Sequence, residues 1–284
     1  MARNWYDSIV PADAAAPRDI DVTVAHPARV YDYWLGGKDN FAADRQAAEE
    51  VLKAKPGIRL NVRANRGFLA RAVRYLVGEA GISQFLDIGT GIPTANNTHE
   101  VAQAVRPDAG VVYVDNDPIV LTHARALLTS TQGTTSFIEA DLRDTGLILS
   151  AAAKTLDFSK PVAIMMIAVL HLIPDQDDPW RIVSEFMQAV PSGSYLAVSH
   201  PASDVDSRDA ERAAQSYNQH VAAPMRRRSR EEFGRFFDGL EIIEPGIVQM
   251  HQWRPAETDL TAPSSGHAAV GRKPGRDVGE PYGV

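Results

Sequence analysis

The sequence predicts an α/β fold: a doubly wound, mostly parallel sheet with helices on both faces. Three observations predict it. Short apolar runs alternate with helical stretches from residue 84 to residue 199. One run, Val162–Ala168, is apolar throughout without alternation, as a strand covered on both faces requires. The glycines and acids that carry the motifs fall at the ends of these runs, where such sheets bind ligands.

Taken in order, residues 1–20 are rich in Ala, Pro and Asp, lack an apolar period, and read as a mobile arm. Residues 21–80 read as a helical extension. Ala28–Leu35 stops at Gly36-Gly37, and Arg63–Val77 places Phe68, Leu69, Ala72, Val73 and Leu76 at helical spacing before Gly78 and Gly81 break it. The core, residues 81–272, begins with the strand Gln84–Ile88, followed by a helix through about Val105. Val111–Val114 is the second strand. Asp117-Pro118 then opens a helix with a capping acid and a proline at the first helical position, running through Leu121, Ala124, Leu127 and Leu128. Ser136–Ala140 and Val162–Ala168 are the third and fourth strands. Asp178-Pro179 repeats the capped start for a helix reaching Val190, and Tyr195–Ser199 is the fifth strand. A polar insertion near residues 203–225 holds a surface helix at Ala210–His220, and Ser229 with Glu232 forms a capping-box pattern opening a helix through Phe237. Gly246–Trp253 and His267–Arg272 read as a last pair of strands, and residues 273–284 as a flexible tail.

Composition narrows the function classes. A net charge of −7 supplies no global basic field, so nucleic acid is not an expected partner. The local cluster Arg226-Arg227-Arg228 with Arg230 reads as a solvated turn before a helix. With no cysteine there is no disulfide framework and no thiolate metal site, and no metal is expected. No apolar run approaches the roughly 20 residues needed to span a bilayer, and the N-terminus lacks a secretory h-region. A cytoplasmic protein with no membrane partner is expected; the oligomeric state is left open.

The chemistry concentrates in Asp87-Ile88-Gly89-Thr90-Gly91-Ile92-Pro93, at the end of the first strand. Glycines at such a turn let a ligand approach the backbone closely. Asp115, with Asn116 beside it, ends the second strand, where a carboxylate accepts from both hydroxyls of a ribose; its other reading, a helix N-terminal charge, is already filled by Asp117. Asp141 and Leu142 follow the third strand, where an acid can accept from an adenine amino group. Ala168 and His171 follow the fourth, beside the reactive end of a nucleoside ligand. Asp87 separates two ligands: it would repel a pyrophosphate and attract the ammonium of a methionine moiety, so S-adenosylmethionine is preferred over NAD.

These blocks resemble the motifs of class I S-adenosylmethionine-dependent methyltransferases. More narrowly, the chain resembles an actinobacterial methyltransferase-like family first described as a domain of unknown function. The likeness rests on His26–Asn40, Asp87–Asn97, Val114–Pro118, Leu170–Asp175 and Pro245-Gly246 with Trp253–Pro255. It implies a Rossmann-like, seven-stranded sheet whose last strand is antiparallel, and it names no acceptor. One departure is Pro93, which stands where a third glycine is common and stiffens the turn.

The expected activity is therefore methyl transfer from S-adenosylmethionine, leaving S-adenosylhomocysteine, to an acceptor read as a small molecule. A non-catalytic cofactor-binding regulator and an NAD-dependent dehydrogenase are the alternatives; Asp87 and Thr94, standing in place of the fingerprint's last glycine, disfavour the second. His171 is a candidate general base, pocket-lining residue or packed side chain. The block carrying His26, Arg29, Tyr31, Tyr33, Lys38 and Asn40 is read as a lid that closes over the cofactor and excludes water. Arg63 and Arg66 are candidates for the cation that holds the methionine carboxylate.

Overall fold

The structure, a computed structural model, describes residues 21–120, 122, 133–205, 207–256 and 263–275. The expected N-terminal arm, all but the first turn and residue 122 of the helix opened by Asp117-Pro118, and the tail beyond residue 275 lie outside the described residues.

Eight strands form one sheet: β1 Gln84–Ile88, β2 Gly110–Asp115, β3 Thr134–Glu139, β4 Ala163–Ile167, β5 Tyr195–Pro201, β6 Glu241–Ile242, β7 Val248–Gln249 and β8 Gly266–Arg272. Their order is β3-β2-β1-β4-β5-β8-β6, with β7 also pairing β8. The first five are parallel, and β8 runs antiparallel to β5. β6 and β7 pair with opposite ends of β8, Ile242 with Gly271 and Gln249 with His267. The two short strands share one position, so the sheet is seven positions wide with an antiparallel last strand in chain order. The expected strand over Gly246–Trp253 is mostly absent. Only Val248–Gln249 pairs, because Gly246 turns at φ 85° before it and a 3₁₀ turn, Met250–Gln252, follows.

The described helices are α1 Pro27–Leu35, α2 Ala42–Ala54, α3 Ile58–Gly78, α4 Thr98–Val105, α5 Thr145–Ala152, α6 Pro179–Ala189, α7 Ser207–His220 and α8 Arg230–Gly234. The capped starts form as their sequences require. Arg181 N donates to Asp178 Oδ1 at 3.1 Å, and Ile119 N to Asp117 Oδ1 at 2.9 Å. Ser229 and Glu232 exchange the two bonds of a capping box. Among the described residues, no helix is long and apolar enough to cross a membrane.

Strand residues alternate between two cores, which is the physical content of double winding. Phe85, Val111, Met165 and Ala197 face α3 through Phe68, Val73 and Leu76. Leu86, Val112, Ile164 and Leu196 face α6 through Ile182 and Phe186. A third cluster joins Val30, Trp34, Ala48, Val51 and Val62 to Tyr217, packing α1, α2 and the start of α3 against α7. α3 thus belongs to both bodies: Val62 packs with the cover, while Phe68 onward packs on the sheet. The helical stretch expected over residues 21–80 is therefore continuous with the core at its C-terminal end. α2 has few large apolar residues, and its buried face is Ala47, Ala48 and Val51, which explains why its period is faint in the sequence.

Candidate active site

A cleft opens over the C-terminal edges of β1, β2 and β4, the place where an open parallel sheet offers ligands its free strand ends. The last residues of these strands and the loops after them and after β3 form its floor, including Asp87, Gly89, Thr90, Gly91, Asp115, Asn116, Asp141, Leu142, Ala168 and His171. His26, Tyr31, Asp32 and Trp34 of the first helical block, Asn65 and Arg66 of α3, and Tyr217 and Met225 from the α7 region wall it on the other side.

The β1 turn is pinned to its neighbour by Gly89 N and Thr90 N, which donate to Val114 O at 2.8 and 3.2 Å. Gly89 and Gly91 take φ of 73° and 68°, a region that favours glycine. Their roles differ. A Cβ on Gly89 would lie 2.3 Å from Val169 Cγ2, so this glycine is required first by packing against the loop after β4 rather than by ligand approach. A Cβ on Gly91 would meet nothing within 4 Å, leaving its backbone open.

Asp115 is oriented by backbone. Gly91 N donates to Oδ2 at 2.8 Å and Asp117 N to Oδ1 at 3.0 Å. Each oxygen keeps a lone pair for a further donor. Burial raises its pKa despite these bonds. Asp87 accepts from Thr98 Oγ1 at 2.6 Å. Burial pushes its pKa up to about 6, against the opposing pull of Thr98 and the Arg66 charge. A buried acid of this kind favours a nearby cation. Asp141 differs: Arg143 bonds both its oxygens, Nε to Oδ1 at 2.8 Å and Nη2 to Oδ2 at 2.6 Å, and holds its pKa below the usual value. The carboxylate lines the cleft but is already engaged.

His171 stands in the cleft wall, buried, its ring edge-on to His200 at a centroid distance of 6.0 Å. Burial, reinforced by the nearby Arg228 charge, lowers its pKa to about 3. It is neutral at physiological pH and a weak base. Arg228 itself is fully buried, not part of a solvated turn: it donates to Leu170 O and Ile173 O at 3.0 and 2.8 Å and to Asp175 Oδ1 at 2.7 Å. Arg227 is buried as well, bonded to Ala202 O and Glu211. Three consecutive arginines read as surface because sequence does not reveal the carbonyls that two of them satisfy, Ala202 O for Arg227 and Leu170 O and Ile173 O for Arg228.

The first helical block borders the cleft, but only part of its polar inventory faces it. His26 Nδ1 lies 3.0 Å from Asp117 Oδ2, joining α1 to the residue that follows the Asp115 turn. The same nitrogen sits 3.4 Å from Ala28 N; one ring nitrogen cannot donate to the first and accept from the second, and the shorter contact to a carboxylate prevails. Tyr31 donates to Val62 O and accepts from Asn65 Nδ2 at 2.9 Å, and Asn65 in turn accepts from Ser199 Oγ. Arg29, Tyr33, Lys38 and Asn40 do not line the cleft, contrary to expectation. Arg29 is buried against Asp44 and Asp117 and donates to Val24 O. Tyr33 bonds Glu49, and Lys38 is exposed. Asn40 holds the turn after α1 by donating to Asp32 Oδ2 at 2.8 Å and Gly37 O at 3.1 Å. The polar groups of Arg29, Tyr33 and Asn40 fasten the block together. Arg63 is likewise exposed and away from the cleft, whereas Arg66 lines it and anchors the loop after β1 through Ala95 O and Asn96 O.

Sequence reasoning missed Asp32, Trp34, Asn65, Tyr217 and Met225. Asn65 left a readable trace: it interrupts the buried stripe Val62, Leu69, Ala72, Leu76 at a position with helical spacing, and a polar residue there needs a buried partner. Tyr217 continues the buried stripe Ala210, Ala213, Ala214 of α7, a helix whose polar composition suggested only surface.

Comparison with known proteins gives the family. A family described as "S-adenosyl methyltransferase" matches residues 13–274. The chain is similar to a DUF574 family protein from Streptomyces avermitilis MA-4680, with 45% identity, TM-score 0.85, and 89% of this chain and 99% of that one covered. It is also similar to a candidate methyltransferase from Thermobifida fusca YX, with 42% identity, TM-score 0.83, and coverage of 92% and 100%. No curated protein matches it. The chain belongs to the S-adenosyl methyltransferase family, and its activity is methyl transfer from S-adenosylmethionine.

Proposed function

We propose that the strand-edge half of this cleft holds S-adenosylmethionine and that a small-molecule acceptor lies against the helical cover. The observation that carries the reading is Asp115, a buried carboxylate fixed by two backbone amides at the end of β2 with one lone pair left on each oxygen. That is the donor-seeking group a ribose diol needs. The open backbone at Gly91 gives the ligand room, and Asp87 answers the ammonium of the methionine moiety directly or through water. Arg66, on the cleft wall, is the cation for its carboxylate. Leu142 and Ile88 offer apolar surface to the base, with Thr90 and Asn116 beside the glycine turn. Asp141 reaches the base only by sharing its carboxylate with Arg143.

When bound, the cofactor supplies an electrophilic methyl carbon on a cationic sulfur. The chain's task is to align an acceptor and exclude water, which favours displacement without a covalent enzyme intermediate. Ala168 takes φ 53°, a strained value for a residue with a Cβ, and its amide is held near Ser199, so the loop carrying His171 is set rigidly beside the reacting end. The block from His26 to Trp34 closes the opposite side.

Titration calorimetry with S-adenosylhomocysteine tests the cofactor assignment. Asp115→Ala should weaken binding by about 1–3 kcal/mol, the cost of unmaking charged hydrogen bonds. An unchanged affinity would remove the ribose contact from the scheme.

A further inference from the structure

Two histidines line the cleft, and their surroundings suit them to different tasks. His171 is buried with Nδ1 sealed and unpartnered, and its pKa of about 3 makes it a poor acceptor of protons. The His26 side chain keeps 26% exposure, and among the described residues its Nε2 has no hydrogen-bond partner.

Asp117 sets the His26 ring. Asp117 Oδ2 is sealed from solvent, with His26 Nδ1 3.0 Å away and Arg29 Nε 3.9 Å away, and no other donor completes it. Its Oδ1 is held by the Ile119 amide at 2.9 Å. Against the upward push of burial, the His26 ring, the Ile119 amide and the Arg29 charge keep this carboxyl below its ordinary pKa, so it stays an anion. A fixed anion at Nδ1 selects the tautomer protonated there and leaves the Nε2 lone pair for the cleft. The backbone beneath is fixed too, since His26 N donates to Asp44 Oδ1 at 2.9 Å.

The chain ties this ring to both halves of the cleft. Asp117 N donates to Asp115 Oδ1 at 3.0 Å, so the carboxylate that holds His26 is joined to the one assigned to the ribose. The sulfonium is attached to that sugar through a single carbon. On the other flank, Ala25 bridges Val221 and its carbonyl accepts from Ala222 N at 3.1 Å, next to Ala223 and Met225 of the cover-side lining. Trp34 and Tyr217, with ring centroids 6.4 Å apart, add flat apolar surface there.

Resting on the cofactor assignment above, we infer that His26 is the general base of the transfer, with Asp117 as its positioning residue, and that the acceptor is a hydroxyl on a largely apolar aromatic molecule. A hydroxyl arrives neutral, which an apolar wall favours, and becomes a strong nucleophile only as its proton leaves. An ammonium would bring a second cation beside the sulfonium, and a carboxylate would give a poised imidazole nothing to do. The hydroxyl proton passes to His26 Nε2 as the O–CH₃ bond forms and the S–CH₃ bond breaks with its electron pair left on sulfur. The products are a neutral methyl ether, S-adenosylhomocysteine and an imidazolium paired with Asp117. The partial exposure of the ring lets that proton return to water.

The first test needs no acceptor. In protein saturated with S-adenosylhomocysteine at about pH 8, nitrogen-15 spectra of labelled histidine should show His26 protonated at Nδ1 and bare at Nε2, its signals identified by their loss in His26→Gln. Asp117→Asn should move the proton to Nε2. A proton on Nε2 in the unaltered protein would overturn the proposal. The second test supplies S-adenosylmethionine with 2-naphthol, 2-naphthoate or 2-naphthylmethylamine and detects methylated product by mass spectrometry. 2-Naphthol should be the probe methylated. His26→Gln should lower its kcat about a hundredfold and Asp117→Asn about tenfold, with KM and S-adenosylhomocysteine affinity within about threefold. No methylation of 2-naphthol, a preference for either other probe, or an undiminished kcat in His26→Gln would each overturn it. If S-adenosylhomocysteine fails to bind the unaltered protein, the cofactor assignment falls; if it binds and these results fail, only the base and the acceptor class fall.

Discussion

The two walls of the cleft are built on different principles. On the strand-edge wall, Asp115 and the glycine turn are fixed by backbone, the first by two amides and the second by Val114 O, while Asp87 and Asp141 are held by the Thr98 and Arg143 side chains. In the helical block that carries the other wall, polar side chains are fixed by other side chains, as in His26 with Asp117 and Tyr31 with Asn65 at the cleft and Arg29 with Asp44 and Asn40 with Asp32 behind it. The first wall is set as soon as the sheet forms. The second spends most of its polar groups on holding itself together, and what it presents to the cleft is mainly apolar. A cofactor carrying a sugar, an ammonium and a carboxylate suits the first; an apolar acceptor suits the second.

The sharpest way to break this contrast is at Gly89. Gly89→Ala should destabilise the fold by about 3 kcal/mol, combining a left-handed backbone with overpacking against Val169. Gly91→Ala, where space is open, should cost only about 1 kcal/mol and act mainly on cofactor affinity. Urea denaturation of the two variants compares them; equal losses would mean that the turn has no packing role. Next comes pH. Asp87 is raised to about 6, so it ionises above that value and protonates below it. Affinity for S-adenosylhomocysteine should fall roughly tenfold between pH 7 and pH 5 as the partner of the ammonium is neutralised, with Asp115 adding in the same direction. Asp87→Asn should flatten the profile, and a profile equally steep in that variant would move the effect elsewhere. The smallest effect separates two neighbouring cations. Arg66→Ala should weaken cofactor binding by about 1 kcal/mol and Arg63→Ala by less than about 0.5. A reversed ranking would return the carboxylate contact to Arg63.

The same contrast explains what was legible in the sequence. Asp87, Gly91, Asp115 and the capped starts at Asp178 and Ser229 were readable because local chain chemistry determines them: a strand must end, a turn must take positive φ, a helix must satisfy its first amides. Arg63 and Arg66 were not separable, since spacing gives an angle around α3 but not the height of the loop at Ala95–Asn96 that Arg66 meets. Tyr217 and Arg228 were hidden for a related reason. Each reaches a partner far away in the chain, Trp34 for one and Leu170 for the other, and no local pattern announces such a meeting.

Arg228 also sets a timetable. Chains emerge N-terminus first, at about 5–20 residues per second, and the loop at Leu170–Asp175 leaves the ribosome well before the guanidinium that ties down its carbonyls. The cleft residues contributed by the ends of β1, β2 and β3 are all made by position 142, whereas the opposite side waits for residues 217–228. During biosynthesis a nascent chain therefore owns the parts of a donor site before it owns a place for anything to be methylated.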